Sequence, residues 1–189
     1  MQGDSGKILL ILDLDETLIH ATTKKLDIAE FDFQFDDYWV YKRPFLDEFL
    51  LSVKEDFKVA VWSSAGDQYV AEIVKNIFPA DYQLQFVWGK TKCTLKRDLD
   101  TDTYFHSKPL KKLRRKGHNL ERVLIVDDSQ EKVKENYGNA IYIKPFEGVR
   151  DDELKKLLVY LRQLKEHQNM RSVEKRGWNF RILPILLFW

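Results

Sequence analysis

The hydrophobic positions of this chain fall into four short, nearly continuous runs that are separated by segments with helical spacing. Runs of this length that are rich in Val, Ile and Leu are typical of strands buried on both faces of a parallel sheet. Strands that alternate with helices predict an α/β fold with right-handed crossover connections. The four predicted strands are Lys7–Leu12, Lys58–Trp62, Arg122–Val126 and Ala140–Ile143.

Apolar residues spaced three and four apart predict helices between these strands. At two helices the sequence also marks an end: Pro44 suits a first helical turn, and Ser107 is an expected N-cap for a helix that Gly117 would stop. The predicted helices cover residues 44–55, 67–78, 107–116, 129–136 and 151–167.

Two segments break the alternation of strands and helices. Glu30–Tyr41 carries aromatic residues at every second position before Asp36-Asp37, which predicts a β-hairpin that turns at this pair. Gln83–Phe105 contains strand-like pieces around a polar turn, which predicts a small β insertion. Both insertions are near the length of ordinary long loops, so neither is predicted to be a domain.

Carboxylate and hydroxyl side chains directly follow the first three apolar runs. In open α/β sheets, ligands bind in the crevice outside the carboxyl ends of the strands, so we expect these side chains to converge there. They are Asp13, Asp15, Ser63, Ser64, Asp127 and Asp128.

Carboxylates that converge at close range repel one another, and a bound divalent cation relieves this repulsion. An all-oxygen set of ligands suits Mg²⁺, which keeps coordination positions free for water and a substrate phosphate. Asp13 and Asp128 are the predicted side-chain ligands. Each acidic residue alone is equally compatible with a turn or a helix cap. Their joint occurrence at the ends of neighbouring strands favours a metal site.

The motifs of the chain resemble those of a known enzyme family. DLDETLIH at Asp13–His20 resembles the DxDxT signature of haloacid dehalogenase (HAD) superfamily phosphatases, and more narrowly of the FCP/SCP type that acts on the RNA polymerase II C-terminal domain. The resemblance runs from about Lys7 to Phe146 and implies a HAD-like, Rossmann-like parallel sheet without a large cap domain. The other matching motifs, in order, are Arg43–Leu50, Val61–Ala65, Ser107–Leu110 and Val123–Ser129.

The resemblance and the chemistry of the residues together imply catalytic roles. Asp13 would be the nucleophile that forms an aspartyl-phosphate, and Asp15 would be the general acid and base. Ser63 would donate a hydrogen bond to a phosphoryl oxygen. Lys108 would offset negative charge, and Asp127 would orient Lys108 or a metal-bound water.

The resemblance also completes the expected metal and substrate sites. It adds the backbone carbonyl of Asp15 to Asp13 and Asp128 as a third Mg²⁺ ligand. The residues expected to contact the substrate are Ser63, Ser64 and Lys108.

Composition narrows the class of protein. The 189 residues carry 31 Lys and Arg against 30 Asp and Glu, and 44% are apolar, which fits a soluble globular chain. The only cysteine, Cys93, excludes an internal disulfide, and Leu99 stands where a cysteine-dependent phosphatase loop would need Arg. We expect one domain over 1–169, a tail over 170–189 to which the sequence assigns no role, and a cytoplasmic location (nuclear in a eukaryote).

The short insertions predict an open site that admits bulky substrates, so we expect a phosphoprotein or another macromolecular phosphomonoester. Basic stretches at Lys90–Arg97 and Lys108–Lys116 are either solvated faces or docks for acidic phosphopeptides or a nucleic-acid end. Two alternatives stay open: a nucleic-acid end phosphatase, and a non-catalytic module that binds phosphopeptides.

Overall fold

The computed structural model describes residues 6–27 and 29–182. Its centre is a five-stranded parallel sheet with the strand order β10-β9-β1-β5-β6. In chain order the strands are β1 (Ile8–Leu12), β2 (Ile19–Thr22), β3 (Phe33–Phe35), β4 (Tyr38–Lys42), β5 (Phe57–Trp62), β6 (Leu84–Trp88), β7 (Thr94–Arg97), β8 (Tyr104–Ser107), β9 (Val123–Asp127) and β10 (Ala140–Tyr142). The helices are α1 (Leu46–Asp56), α2 (Asp67–Ile77), α3 (Lys111–Arg114), α4 (Gln130–Val133) and α5 (Glu153–Leu164).

The central strand β1 has apolar layers on both sides. Its side chains alternate between two core clusters, with Leu10 and Leu12 in one and Leu9 and Ile11 in the other. Helices α1, α2 and α5 contribute to the first cluster, whereas the region around α3 contributes to the second. The predicted α/β architecture is therefore confirmed, and each of the four predicted strands lies within one residue of its expected bounds.

A fifth strand of the central sheet lies inside the segment predicted as a small β insertion. β6 pairs in parallel with β5, and only β7 and β8 form a separate antiparallel pair. The residues of β6 are alternately half-buried and exposed up to the buried Trp88, because this strand lies at the edge of the sheet. An alternating pattern of this kind is the same in an edge strand and in a hairpin strand, so periodicity could not separate the two.

The predicted aromatic hairpin is present as β3 and β4, with Asp36 in a left-handed conformation at the turn (φ 48°). Strand β2, which was not predicted, pairs with the other edge of β4 and completes a three-stranded antiparallel sheet. Phe33 and Val40 attach this sheet to the first core cluster.

The helix predicted to begin at Ser107 is shorter than expected. Ser107 is the last residue of β8, and its hydroxyl donates a hydrogen bond to Glu135 (3.4 Å) rather than capping a helix. Pro109 explains the difference, because the residue before a proline is disfavoured in helical conformation. Helix α3 accordingly begins at Lys111.

The other helices are present with shifted ends. α1 begins two residues after Pro44, because Phe45 has a left-handed backbone (φ 66°). The segment predicted as a helix over 129–136 divides into α4 and a 3-10 turn at Lys134–Asn136. Among the described residues, no helix has both the length and the apolar character needed to cross a bilayer.

The chain after α5 packs on the body as far as it is described. Met170 and Trp178 are buried in the first core cluster. The Trp178 ring stacks on Tyr160 with ring centroids 5.5 Å apart, and its indole N–H donates to the carbonyl of Tyr142 (2.7 Å). Most of the apolar stretch at the end of the sequence, residues 183–189, lies outside the described residues.

Candidate active site

Two carboxylates and one ammonium group meet at the carboxyl ends of the central strands. Asp13 follows β1 and Asp127 ends β9, and the Asp13 amide donates to the carbonyl of Val126 (3.1 Å), which aligns the two strand ends. The Lys108 ammonium nitrogen lies 2.7 Å from an oxygen of each carboxylate. All three side chains are almost completely buried.

Lys108 reaches the site from outside the central sheet, and Asn136 holds its backbone in place. The Asn136 amide donates to the Lys108 carbonyl (2.7 Å), and its oxygen accepts from the amide of Leu110 (3.0 Å). The Lys108 amide in turn donates to the carbonyl of Lys132 (2.8 Å). The lysine is thus fixed on both sides of its α-carbon.

The protonation of this trio follows from burial and charge. Burial alone would lower the pKa of Lys108, but Asp127 and Asp13 raise it above its ordinary value, so the ammonium stays charged. Burial, and next the neighbouring Asp13, raises the pKa of Asp127 to about 7. Two carboxylates thus face one buried ammonium, and a second ammonium, that of Lys132, lies 3.7 Å from Asp13.

Asp13, Asp127 and Asp128 each offer an oxygen within 4.8 Å of the others. Asp13 Oδ2 and Asp128 Oδ1 are buried and accept no hydrogen bond within the described part of the chain; the Lys132 ammonium lies 3.7 and 3.9 Å from them. Carboxylate oxygens with unused lone pairs are the ligands that Mg²⁺ prefers. The residues present therefore fit a divalent cation.

Asp15 lies in a loop that turns tightly after β1. The amides of Thr17, Leu18 and Ile19 all donate to the carbonyl of Leu14 (2.8–3.1 Å). Glu16 adopts a left-handed conformation (φ 57°) within this turn. This turn keeps the Asp15 carboxyl close enough to Asp13 for the charge of Asp13 to act on it.

Two hydroxyl groups hold the Asp15 carboxylate. Tyr69 donates to Oδ1 (2.5 Å) and Ser63 donates to Oδ2 (3.3 Å). Burial, and next the charge of Asp13, raises the pKa of Asp15, while both hydrogen bonds act in the opposite direction. Asp15 is therefore a carboxyl group of this loop that is suited to hold a proton.

The serine pair after β5 divides into a buried and a half-buried residue. The Ser63 amide donates to the carbonyl of Trp88 (2.9 Å), and its hydroxyl accepts from the amide of Ala65 (3.0 Å). Ser64 is half-buried one position further along the chain. The predicted site residues thus form two groups, Asp15 with Ser63 and Asp13 with Lys108, Asp127 and Asp128, and Ser64 adjoins the first group through the chain. The Asp15 carbonyl as a ligand stays a prediction.

The structure adds Tyr69 and Lys132 to the predicted set. Lys132 lies four residues after Asp128 on the following helical turns, a spacing that could have suggested its place beside the acidic cluster. Tyr69 had no such signal, because an aromatic residue in an amphipathic helix resembles a core residue. Its ring lies close to Phe35 and Tyr38 of the hairpin (centroids 6.1 and 5.9 Å).

A buried arginine fixes the far end of the loop that follows β1. Arg43 donates to the carbonyl of Thr17 (2.9 Å) and to that of Lys144 (2.8 Å), and it pairs with the Asp151 carboxylate (2.7 Å). The loop, the end of the three-stranded sheet and the start of α5 are therefore held by one side chain.

Residues 8–171 match the family model described as NLI interacting factor-like phosphatase. The chain is 33% identical over 177 residues to CTD small phosphatase-like protein 2 of Dictyostelium discoideum, covering 90% of this chain and 30% of that protein. It is 30% identical over 177 residues to human Carboxy-terminal domain RNA polymerase II polypeptide A small phosphatase 1, covering 90% of this chain and 64% of the relative.

A solved structure supports the same fold. Fission yeast RNA polymerase II CTD phosphatase Fcp1, bound to beryllium fluoride, superposes with a TM-score of 0.58 at 21% identity, over 79% of this chain and 45% of that one. This likeness confirms the HAD-like fold that the motifs implied. The chain spans less than two thirds of the length of either curated relative.

Proposed function

The chain belongs to the NLI interacting factor-like phosphatase family, and from this premise we propose that it is a Mg²⁺-dependent phosphomonoester hydrolase that removes phosphate from Ser or Thr of phosphoproteins. The observation that carries the proposal is the buried Asp13, which lies 2.7 Å from the Lys108 ammonium and within 4.8 Å of two further carboxylates. A carboxylate can attack a phosphate dianion only when nearby positive charge reduces their repulsion, and the Lys108 ammonium supplies such charge beside Asp13.

In the first step a carboxylate oxygen of Asp13 attacks phosphorus, and the bond from phosphorus to the leaving oxygen breaks. The leaving oxygen takes a proton from Asp15. The raised pKa of Asp15, caused first by burial and then by Asp13, supports its role as the acid. The products of this step are a free hydroxyl on the substrate and an aspartyl-phosphate.

In the second step water attacks the phosphorus of the aspartyl-phosphate and gives a proton to Asp15. The bond from phosphorus to the Asp13 oxygen breaks, which releases inorganic phosphate and regenerates the carboxylate. Asp15 thus ends the cycle protonated, as it began.

Fixed positive charge and hydrogen-bond donors stabilise the transferring group in both steps. Lys108 offsets the charge of Asp13 and of the phosphoryl oxygens, and Asp127 orients it through the 2.7 Å ion pair. The Ser63 hydroxyl, now 3.3 Å from Asp15, would turn to donate to a phosphoryl oxygen, with Ser64 beside it.

The ligands proposed for Mg²⁺ are Asp13, Asp128 and the Asp15 carbonyl. When bound, Mg²⁺ supplies positive charge that offsets the repulsion between nucleophile and phosphate. The unpartnered oxygens of Asp13 and Asp128 support this assignment. The tight pairing of Asp127 with Lys108 supports an orienting role for Asp127.

The form of the site entrance supports a macromolecular substrate. The insertions around it are a three-stranded sheet and the β7–β8 hairpin, which are too small to enclose a small molecule as a cap domain does. The relatives named above are called phosphatases of the RNA polymerase II C-terminal domain or proteins like them. We therefore propose phosphoproteins as the substrate class of this chain. Its location inside the cell stays an expectation from composition.

The test is hydrolysis of p-nitrophenyl phosphate and of a phosphoserine peptide, with Mg²⁺ or with EDTA. We expect turnover only with Mg²⁺, and a loss of about 10³-fold or more in Asp13→Asn. The matched control is Asp81→Asn, which makes the same change at an exposed turn. Equal activity in wild type and Asp13→Asn would refute the nucleophile assignment.

The alternatives have distinct outcomes in the same experiment. Faster release of phosphate from 5′- or 3′-phosphorylated oligonucleotides than from peptides would favour a nucleic-acid end phosphatase. Binding of the phosphopeptide without any release of phosphate would favour a non-catalytic module.

A further inference from the structure

A group of cations and a pair of carboxylates lie on opposite faces of the central sheet, on the two sides of the proposed phosphate site. The three-stranded sheet packs with the first core cluster, whereas Cys93 and α3 pack with the second, so the two surfaces belong to opposite faces of the central sheet. On the second face we define a basic rim, which consists of Lys90, Lys92, Lys112, Arg115 and Lys116. On the first face we define an acidic tip, the hairpin residues Asp36 and Asp37.

The basic rim begins directly beside the proposed phosphate site. The amide of Lys90 donates to the carbonyl of Ala65 (2.8 Å), and the amide of Ala65 donates to the hydroxyl of Ser63 (3.0 Å). The Lys112 ammonium donates to the carbonyls of Lys92 and Cys93 (2.6 and 3.0 Å), which joins α3 to this loop. The rim is therefore one continuous surface.

Carboxylates of the protein offset only part of the charge of the rim. Residues 89–97 and 107–118 contain no Asp or Glu, and the carboxylate that touches the rim loop is that of Asp67, which accepts from the amide and hydroxyl of Thr91 (3.3 and 2.6 Å). Lys90, Lys92 and Arg115 are exposed, and they form no ion pair with any residue that the structure describes. On a solvated face laced with salt bridges, cations alternate with carboxylates. Uncompensated cations at the entrance of a site attract an anionic partner instead.

The acidic tip adjoins the other side of the site. Asp36 and Asp37 are exposed, and Tyr38 beside them contacts Tyr69 (ring centroids 5.9 Å apart), which holds Asp15. A substrate that crosses the site from one face to the other therefore meets cations on one side and carboxylates on the other.

We propose that the substrate is a phosphoprotein segment with acidic residues on only one side of the phosphorylated residue, and that these residues lie on the basic rim. The side that faces the acidic tip would carry neutral or basic residues. This inference rests on the proposed function and narrows its substrate class.

The composition of the rim favours a peptide over a nucleic-acid strand. Single-stranded nucleic acids are held by stacking of bases on exposed aromatic rings as well as by cations. Trp88, which carries the Lys116 ammonium over its ring, is 7% exposed, and Phe86, which stacks on it, is half-buried in the second core cluster. Beside the rim, these two rings therefore offer bases little surface for stacking.

The experiment uses phosphoserine peptides that carry three Glu residues before the phosphoserine, after it, on both sides or on neither, with Gln at the vacated positions. Of the two peptides with Glu on a single side, we expect one to have a kcat/KM about 5- to 10-fold higher than that of the neutral peptide. Charges at a rim act mainly on the rate at which the substrate associates with the enzyme. The other one-sided peptide should show no gain. The advantage should shrink as NaCl rises from about 50 to 500 mM.

A variant of the rim tests the origin of the preference. It combines Lys90→Gln, Lys92→Gln and Arg115→Gln. We expect it to lose the advantage of the acidic peptide and to hydrolyse p-nitrophenyl phosphate within about twofold of wild type, since that substrate has no flanking charge. The control variant removes the same charge near the amino ends of the strands and combines Lys7→Gln, Lys75→Gln and Arg162→Gln.

Equal kcat/KM for the four peptides would overturn the inference. It would also be overturned if the control variant lost the advantage of the acidic peptide as the rim variant does, or if oligonucleotides were hydrolysed faster than every peptide. If wild type does not hydrolyse p-nitrophenyl phosphate, the proposed function fails separately. The charge preference is then tested by the affinity of the Asp13→Asn protein for fluorescently labelled forms of the four peptides. Tighter binding of one one-sided peptide, lost when the rim substitutions are added, supports the inference. Equal affinity for all four peptides refutes it.

Discussion

Replacing Tyr69 with Phe removes one hydroxyl from the site and keeps the ring that packs against Phe35 and Tyr38. The lost contact is the 2.5 Å hydrogen bond to Asp15 Oδ1. Asp15 gains negative charge as its proton moves to the leaving oxygen, so this bond is stronger in the transition state than in the protonated ground state. A hydrogen bond to a charged group contributes about 1.5–3 kcal/mol, which corresponds to about 10- to 100-fold in rate. We expect Tyr69→Phe to lose this factor in the step that needs Asp15 as a well-oriented acid.

The assay compares substrates with different leaving groups. p-Nitrophenolate leaves readily without a proton, whereas the serine alkoxide of a phosphopeptide needs one from the acid. We therefore expect kcat for the phosphoserine peptide to fall about 10- to 100-fold, and kcat for p-nitrophenyl phosphate to fall less than about 3-fold.

Tyr38→Phe is the matched control, because it removes a hydroxyl from the neighbouring ring, which makes no hydrogen bond to Asp15 in the described residues. This variant should retain both activities. An equal loss for the two substrates in Tyr69→Phe would show that the hydroxyl supports the fold of the site rather than the acid. No loss for either substrate would refute the role of the hydrogen bond.

The remaining predictions concern stability and the metal. Arg43→Leu leaves the Asp151 carboxylate without its partner and should lower the free energy of unfolding by about 3–5 kcal/mol in urea titrations; a loss below about 1 kcal/mol would contradict this account. Lys175→Met removes an ammonium that donates to three backbone carbonyls. This change should lower the free energy of unfolding by about 1–3 kcal/mol. Burial, and next Asp15, raises the pKa of Glu16 from 4.5 to about 7, so ionisation of Glu16 costs the folded state stability as pH rises through this window. In EDTA, Glu16→Gln should therefore gain thermal stability relative to wild type between these pH values, and a constant difference would refute the shift. MgCl₂ should raise the melting temperature of wild type, and Asp128→Asn should weaken Mg²⁺ affinity in calorimetric titrations by at least about 10-fold; unchanged affinity would exclude Asp128 as a ligand.

The central sheet was predictable because four of its strands are apolar on both faces. The neighbours of β1 are β5 and β9, so the polar residues that follow these three strands had to meet once the strands paired. The fifth strand could not be identified in this way, because β6 is half-exposed and its alternation also fits a hairpin.

The site was predictable where a residue ends a strand and unpredictable where tertiary contacts place it. Asp13 and Asp127 follow from the strand ends. Lys108 was found only through its motif, since Asn136 fixes its position. Tyr69 lies on the third residue of α2, and nothing in its helical spacing distinguishes it from a core residue.

The central position of β1 has a consequence for synthesis of the chain on the ribosome. β1 is the first strand in the described part of the chain, and one of its two neighbours, β9, follows more than a hundred residues later. At about 5–20 residues per second, one edge of a fully apolar strand waits roughly 5–20 s for its partner. Unpaired apolar edges invite association with other chains. A nascent chain that stalls before Val123 therefore exposes an unpaired apolar strand edge directly beside Asp13.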